Sequence, residues 1–272
     1  MSATVASHTT GPGGTLAAIR ARGPLIHNIT NLVAMDLTAN LLLAVGASPV
    51  MAHAREEVEE FVSLAAGLTI NTGTLTREWL ASALAAAAQA TGIGRPWVLD
   101  PVGCGATRFR LESARQLARS GPSIIRGNAS EIAALAGATA GQAGGRGVDS
   151  TLSADAVLEQ ARQLARSSGA IVATTGQVDI VTDGAQIRRV SNGHPLLTRV
   201  TAAGCALTAL TGAAVAVSSE PLKAAVHALA IMGVAGERAA AKAQGPGSFR
   251  SALLDELYGL DPQELDKEAR IT

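Results

Sequence analysis

The chain has 272 residues with 22 basic and 22 acidic side chains, so its formal net charge is zero. Such a balance offers no field to gather nucleic acid or an anionic membrane surface. Its two cysteines make neither a disulfide framework nor a zinc-type spacing. Hydrophobic residues are 47% and aromatics 2% of the chain, so the core is expected to be Ala, Leu, Val and Ile in one domain.

Residues 1–13 lack the basic start and apolar run of a secretory signal and read as a disordered lead-in. A strand at 25–28 precedes a helical pattern over 33–45 that Gly46 closes. The alternation repeats with a strand at 49–51 and helix at 56–65, a strand at 68–71 and helix at 76–90, and a strand at 96–101 and helix at 111–119. A strand at 123–126 leads through Asn128 into a helix ending at Ala136, and 137–150 reads as an exposed Gly/Ala-rich loop. Ser153 is expected to cap a helix running to Ser167. Strands follow at 170–175, 179–182 and 186–190, with Asp183-Gly184 as a hairpin turn. Extended residues 196–200 enter a small-residue turn, and three helices close the domain at 205–217, 222–243 and 249–258. The stretch 261–272 reads as a charged, solvated tail.

This order implies an α/β fold of a single domain over 14–260, with a mainly parallel central sheet covered by helices on both faces. No continuous run of 18 apolar residues occurs, so no membrane span is expected, and a reduced, cytoplasmic setting fits the cysteine usage.

In an open α/β sheet, ligands sit beyond the carboxyl ends of the strands. Those ends carry His27-Asn28 through Asn31, Met51, Asn71-Thr72-Gly73, Asp100, Arg126-Gly127-Asn128 and Thr174-Thr175-Gly176. Asp100 and Glu131 suit a nucleotide-bound Mg²⁺, which takes one or two carboxylates plus phosphate oxygens. Asn128-x-x-Glu131 serves equally as a helix-capping box. Arg126 can fork onto phosphate, or form a surface salt bridge. His27, His53 and His194 are candidate pocket-lining residues, and none has metal-ligand spacing. Neither a P-loop nor a Gly-x-Gly-x-x-Gly run is present, so a bound nucleotide needs another anion site. The turn at Thr201-Ala202-Ala203-Gly204, opening an apolar helix at Cys205, offers one through unpaired N–H groups and the helix dipole. That dipole also lowers the pKa of a first-turn thiol, although Cys205 fits a small buried hydrophobe as well. Cys104 reads as a small residue in a tight loop.

The segments Pro24-Leu25-Ile26-His27-Asn28-Ile29-Thr30-Asn31 and Gly46-Ala47-Ser48-Pro49-Val50-Met51-Ala52-His53 resemble the hydroxyethylthiazole kinase family. So do Asp100-Pro101-Val102-Gly103, Ile125-Arg126-Gly127-Asn128-Ala129-Ser130-Glu131, Thr175-Gly176-x-x-Asp179, Val200-Thr201-x-x-Gly204-Cys205-Ala206-Leu207 and Gly245-Pro246-Gly247-Ser248-Phe249. The resemblance implies a ribokinase-like fold and ATP- and Mg²⁺-dependent phosphorylation of the alcohol of 4-methyl-5-(2-hydroxyethyl)thiazole, a salvage step towards thiamine. It further implies a homotrimer with thiazole pockets at the subunit interfaces. Carried onto this chain, it puts Met51, Asn28 and Ala202 at the thiazole, Arg126, Thr175 and Asn128 at ATP, and Asp100 and Glu131 at Mg²⁺. Ala202, Ala203 and Gly204 become the anion hole, and Cys205 takes the catalytic position. Ala202-Ala203 departs from the family's usual glycine followed by a small residue, which places a methyl where positive φ is disfavoured. Two alternatives stand beside this reading: a hydroxymethylpyrimidine or pyridoxal kinase of the same fold, and a binding regulator that has lost catalysis.

Overall fold

The computed structural model describes residues 11–137, 145–146, 149–150 and 152–272. Its apolar runs become β1 (Leu25–Ile29), β2 (Ser48–Val50), β3 (Gly67–Asn71), β4 (Trp97–Asp100) and β5 (Ile124–Asn128). A detached antiparallel pair, β6 (Gly145–Arg146) and β7 (Asp149–Ser150), precedes β8 (Ile171–Thr175), β9 (Asp179–Thr182) and β10 (Ile187–Val190). The main sheet has the order β10-β9-β8-β5-β4-β3-β1-β2. It is parallel from β2 to β8, and β9 and β10 add an antiparallel edge. The Asp183-Gly184 turn joins those two strands as expected, with Gly184 at φ 96°.

Alternation along each strand divides the core. Ile26, Val98, Ile124 and Ala173 face one helical layer, whereas Trp97, Leu99, Ile125 and Val172 face the other. The first layer contains α1 (Pro12–Arg22), α2 (Met35–Ala44), α8 (Ala203–Ala216), α9 (Pro221–Lys242) and α10 (Pro246–Gly259). Opposite lie α3 (Val58–Leu64), α4 (Arg77–Gly92), α5 (Arg108–Ala118), α6 (Ala129–Leu135) and α7 (Leu158–Ser168). α8 packs close to the sheet because Gly212 has no side chain; a Cβ there would fall 2.5 Å from Thr69 Cγ2. No helix among the described residues is long and apolar enough to cross a membrane.

Several boundaries differ from expectation. The 56–65 helix starts at Val58, and the 111–119 helix starts at Arg108 after a Thr107 cap. Ser153 does cap, but it caps a 3₁₀ turn over Asp155–Val157 that precedes α7. The supposedly extended stretch before the small-residue turn is a 3₁₀ helix, Pro195–Arg199, whose first turn His194 caps through Nδ1. Most of 137–150 lies outside the described residues.

The tail, although largely exposed, is an ordered element packed on the domain. α11 (Pro262–Glu268) is capped by Asp261, and Leu265 is fully buried. α1 begins at Pro12, inside the expected lead-in, and the two helices meet: Gly13 N–H donates to Asp266 Oδ1 at 2.7 Å. A Cβ on Gly13 would lie 2.0 Å from the Pro262 carbonyl oxygen. Beyond α11 the chain runs antiparallel to β10, where Arg189 and Thr272 exchange both backbone hydrogen bonds. At the other edge, β2 is three residues long and contains Pro49. Residues 1–10 lie outside the described part.

Candidate active site

The carboxyl ends of β1, β3, β4, β5 and β8 converge on the start of α8. The turn into that helix is unusual in its backbone: Ala202 has φ 68°, a left-handed value held by no other non-glycine among the described residues. No side chain caps α8, so its first-turn N–H groups, those of Gly204 and Cys205 included, point outward without intrahelical partners. The turn thus keeps alanine in the left-handed position, and of the three residues expected to form the anion hole, Ala203 has its N–H taken by the Val200 carbonyl at 3.3 Å.

Arg126, near the end of β5, lies across this turn. It is 9% exposed, so it is no surface ion-pair residue. Nη1 donates to the Gly204 carbonyl at 3.2 Å, and Nη2 donates to Thr175 Oγ1 at 3.0 Å. Thr175 in turn donates to the Gly127 carbonyl. Gly204 leaves room for the guanidinium, since a Cβ would stand 3.1 Å from Nη1 and 3.4 Å from Nη2 of Arg126 and would press on it.

Asp100 is buried beneath Arg126, with Oδ2 at 3.8 Å from Nη1. The same oxygen accepts hydrogen bonds from Asn71 Nδ2 at 2.7 Å and Thr208 Oγ1 at 2.8 Å. Oδ1 has no protein partner. Burial pushes the carboxyl above its ordinary range, opposed by Arg126, Thr208 and Asn71. Glu131 performs the capping role: Oε2 accepts from the Asn128 N–H, and Asn128 Oδ1 accepts from the Glu131 N–H. Its other oxygen accepts from the Gly103 N–H at 2.8 Å, so it also ties the loop after β4 to α6. Burial and the neighbouring Asp100 push Glu131 up to about 7.

Cys205 sits in the first turn of α8, half-buried, and Asn31 Nδ2 donates to its sulfur at 3.3 Å. The thiol is pushed up to about 11 by burial and by Asp100. The direction is opposite to the lowering expected for a first-turn cysteine, because the thiol is desolvated beside a carboxylate. Cys104 is buried, donates to the Glu131 carbonyl, and is pushed up to about 12 by burial.

Asn28 is not brought to the cleft. It is fully buried, with Nδ2 donating to the Ile26 carbonyl and Oδ1 accepting from Thr69. The asparagine that reaches the site is Asn31, which bridges Cys205 and Asn71 Oδ1. Asn71 and Thr208 also belong to this network. Both are polar residues at revealing places: Asn71 ends β3, and Thr208 falls four residues after Gly204 in an apolar helix, on the same face. Asp179 opens β9, accepts from the Gly176 N–H at 2.9 Å and is pushed up to about 7 by burial. Met51 follows β2 on the same edge and is half-buried. His53 is beside it, whereas His194 is exposed and only caps its local turn. No cluster of three or more His, Cys, Asp or Glu among the described residues is arranged to hold a metal ion.

A sheet edge carrying a buried carboxylate, a forked arginine and an open helix N-terminus defines a ribokinase-like phosphotransferase. Solved pyridoxal kinases share the fold: one from Bacillus subtilis matches with TM-score 0.59 at 15% identity, covering 79% of this chain and 92% of its own. The chain belongs to the hydroxyethylthiazole kinase family, whose model matches residues 16–263. A hydroxyethylthiazole kinase from Cereibacter sphaeroides is 52% identical over 96% of this chain and 98% of its own. One from Rhizobium rhizogenes is 52% identical over 97% of each chain. The structure of the protein so named from Pyrococcus horikoshii OT3 superposes with TM-score 0.88 at 44% identity, covering 96% of this chain and 98% of that one.

Proposed function

We propose that this kinase transfers the γ-phosphoryl group of ATP to the hydroxyethyl oxygen of 4-methyl-5-(2-hydroxyethyl)thiazole, supplying the thiazole phosphate used for thiamine. The observation that carries the reading is the meeting of Arg126, Asp100 and the α8 N-terminus at one point. Phosphoryl transfer asks mainly for alignment and neutralisation of charge on the phosphate oxygens. Arg126 and Thr175 hold the nucleotide, and Asn128 shapes the turn beneath it while capping α6. The first-turn N–H groups of Gly204 and Cys205 stabilise the transferring group, that of Ala203 being held by the Val200 carbonyl at 3.3 Å. Ala202 and Met51 border the thiazole.

The chain's residues fit a Mg²⁺ ion bound together with the phosphates. Asp100 Oδ1 is a buried carboxylate oxygen with no protein partner, and Glu131 stands behind it. A hard cation of this kind needs only one or two carboxylates, with phosphate and water completing its shell. When bound, it neutralises phosphate charge. Cys205 lies beside the acceptor hydroxyl, but a thiol pushed up to about 11 is no base at neutral pH. Its part is to fit the substrate while the backbone around it supplies the catalysis.

The assembly read from the family is a homotrimer with shared pockets. Leu32 and Val33, directly after Asn31, are 66% and 63% exposed, which suits coverage by a second copy. The cytoplasm, where ATP is available and free thiols persist, is the compartment this reading assigns. The binding-regulator alternative loses ground because Ala202 keeps the left-handed turn. A test is ADP release on incubation with ATP, Mg²⁺ and a panel of thiazole, pyrimidine and pyridoxal alcohols. Turnover of the thiazole alcohol above the others is expected; preference for pyridoxal or the pyrimidine, or tight binding without ADP, overturns the reading.

A further inference from the structure

β2 pairs only with β1, and its register ends at Val50 opposite His27. Met51 therefore lies where the sheet no longer fixes the chain. Two imidazoles take over there. His27 is fully buried, and its Nε2 lies 2.7 Å from the Ala52 carbonyl oxygen. The ring of His53 packs edge-on against Trp79, centroids 4.5 Å apart. Its Nδ1 is 3.0 Å from the Met51 carbonyl oxygen, and its Nε2 is 3.1 Å from both the backbone nitrogen and the carbonyl oxygen of Thr30. With its proton on Nδ1 the neutral ring donates to the Met51 carbonyl and accepts from the Thr30 N–H; with a proton on Nε2 it donates to the Thr30 carbonyl, and in either form it is tied to Thr30. Thr30 immediately precedes Asn31, which holds Cys205 and Asn71. One side chain thus spans from Met51 to the residue beside the catalytic network.

We propose that His53 is a positioning residue that sets acceptor recognition, by fixing the Met51 segment at a constant distance from the Asn31–Cys205 pair. It touches no phosphate-binding residue, so its influence falls on the alcohol substrate and not on ATP. The idea rests on the reading above, in which Met51 borders the acceptor. His53→Ala removes both contacts. His53→Asn keeps a short donor for the Met51 carbonyl and loses the reach to Thr30.

The test measures KM for the acceptor alcohol, KM for ATP and kcat in both variants, using whichever alcohol the parent enzyme phosphorylates. Failure of the thiazole assignment then shows in the parent, and failure of the clamp shows only in the variants. Two modest hydrogen bonds correspond to about a tenfold rise in acceptor KM for His53→Ala, with His53→Asn intermediate and KM for ATP unchanged within about twofold. Should His53→Ala not fold, the His53→Asn split alone decides. Equal shifts in both KM values, a fall in kcat alone, or no shift in acceptor KM overturns the proposal.

Discussion

A methyl group at position 204 would press on the Arg126 guanidinium at 3.1 Å, and this makes Gly204→Ala an informative perturbation. Contacts that close require the neighbour to give by a few tenths of an ångström. The guanidinium has two bonds to lose on moving, to the Gly204 carbonyl at 3.2 Å and to Thr175 at 3.0 Å. A hydrogen bond to a charged group is worth ~1.5–3 kcal/mol, so weakening these two costs about 1–2 kcal/mol of ATP and transition-state binding. That equals about a five- to thirtyfold loss in kcat/KM for ATP. Folding responds differently. Position 204 has no left-handed φ, and alanine in a helix is favoured over glycine by roughly 0.5–1 kcal/mol, which offsets the crowding. Steady-state kinetics at saturating acceptor, paired with thermal melting, should show lost efficiency with a melting temperature close to the parent's. A variant that melts like the parent and keeps kcat/KM for ATP within about twofold refutes the placement of Arg126 over Gly204 as part of nucleotide binding.

The other expectations concern the same edge. Ala202→Gly releases left-handed strain of about 1–2 kcal/mol against ~0.4–1 kcal/mol of added unfolded-chain entropy; its melting temperature should rise by a few degrees, and a fall would contradict the strain. Cys205→Ala should retain measurable turnover and Cys205→Asp should match or exceed the parent, because the thiol is held near 11; loss of turnover in both, with normal substrate binding, would make the sulfur chemically essential. Asp179 is raised from 3.8 to about 7 by burial, so the folded state holds its proton more tightly than the unfolded chain does. Stability from this group is full below about pH 3.8 and is lost as pH rises towards 7. Melting curves should therefore show Asp179→Asn more stable than the parent at pH 8, with the difference gone near pH 4; a pH-independent difference would remove Asp179 as its cause.

The alternating layers were legible because period-two strands and helical stretches follow each other with turn residues between them. Asp100, Arg126 and Thr175 were legible for a related reason, since the end of each strand marks the ligand edge. Asn28 misled because strand residues alternate: it faces Thr69 inside the sheet, while Asn31, past the strand, turns to the site. Asn71 and Thr208 meet on one oxygen of Asp100 although they are 137 positions apart in sequence, and no local pattern encodes such a meeting. α1 and α11 were hidden for another reason. Gly13 and Gly14 weaken the helical signal of α1, and the two helices are stabilised by contact with each other across the length of the chain.

The two borders of the main sheet carry a further implication for how copies of this protein can meet. At β10 the backbone groups of Arg189 are occupied by Thr272. At β2 the Ser48 N–H turns inward to Pro24, so alternation directs position 49 outward, and proline there has no N–H to offer. Among the described residues, each border of the main sheet is thus partly blunted against another strand. Such borders favour self-association through side chains on helices and loops, where individual substitutions can tune or abolish it. The same blunted borders protect an eight-stranded sheet from templating fibrils.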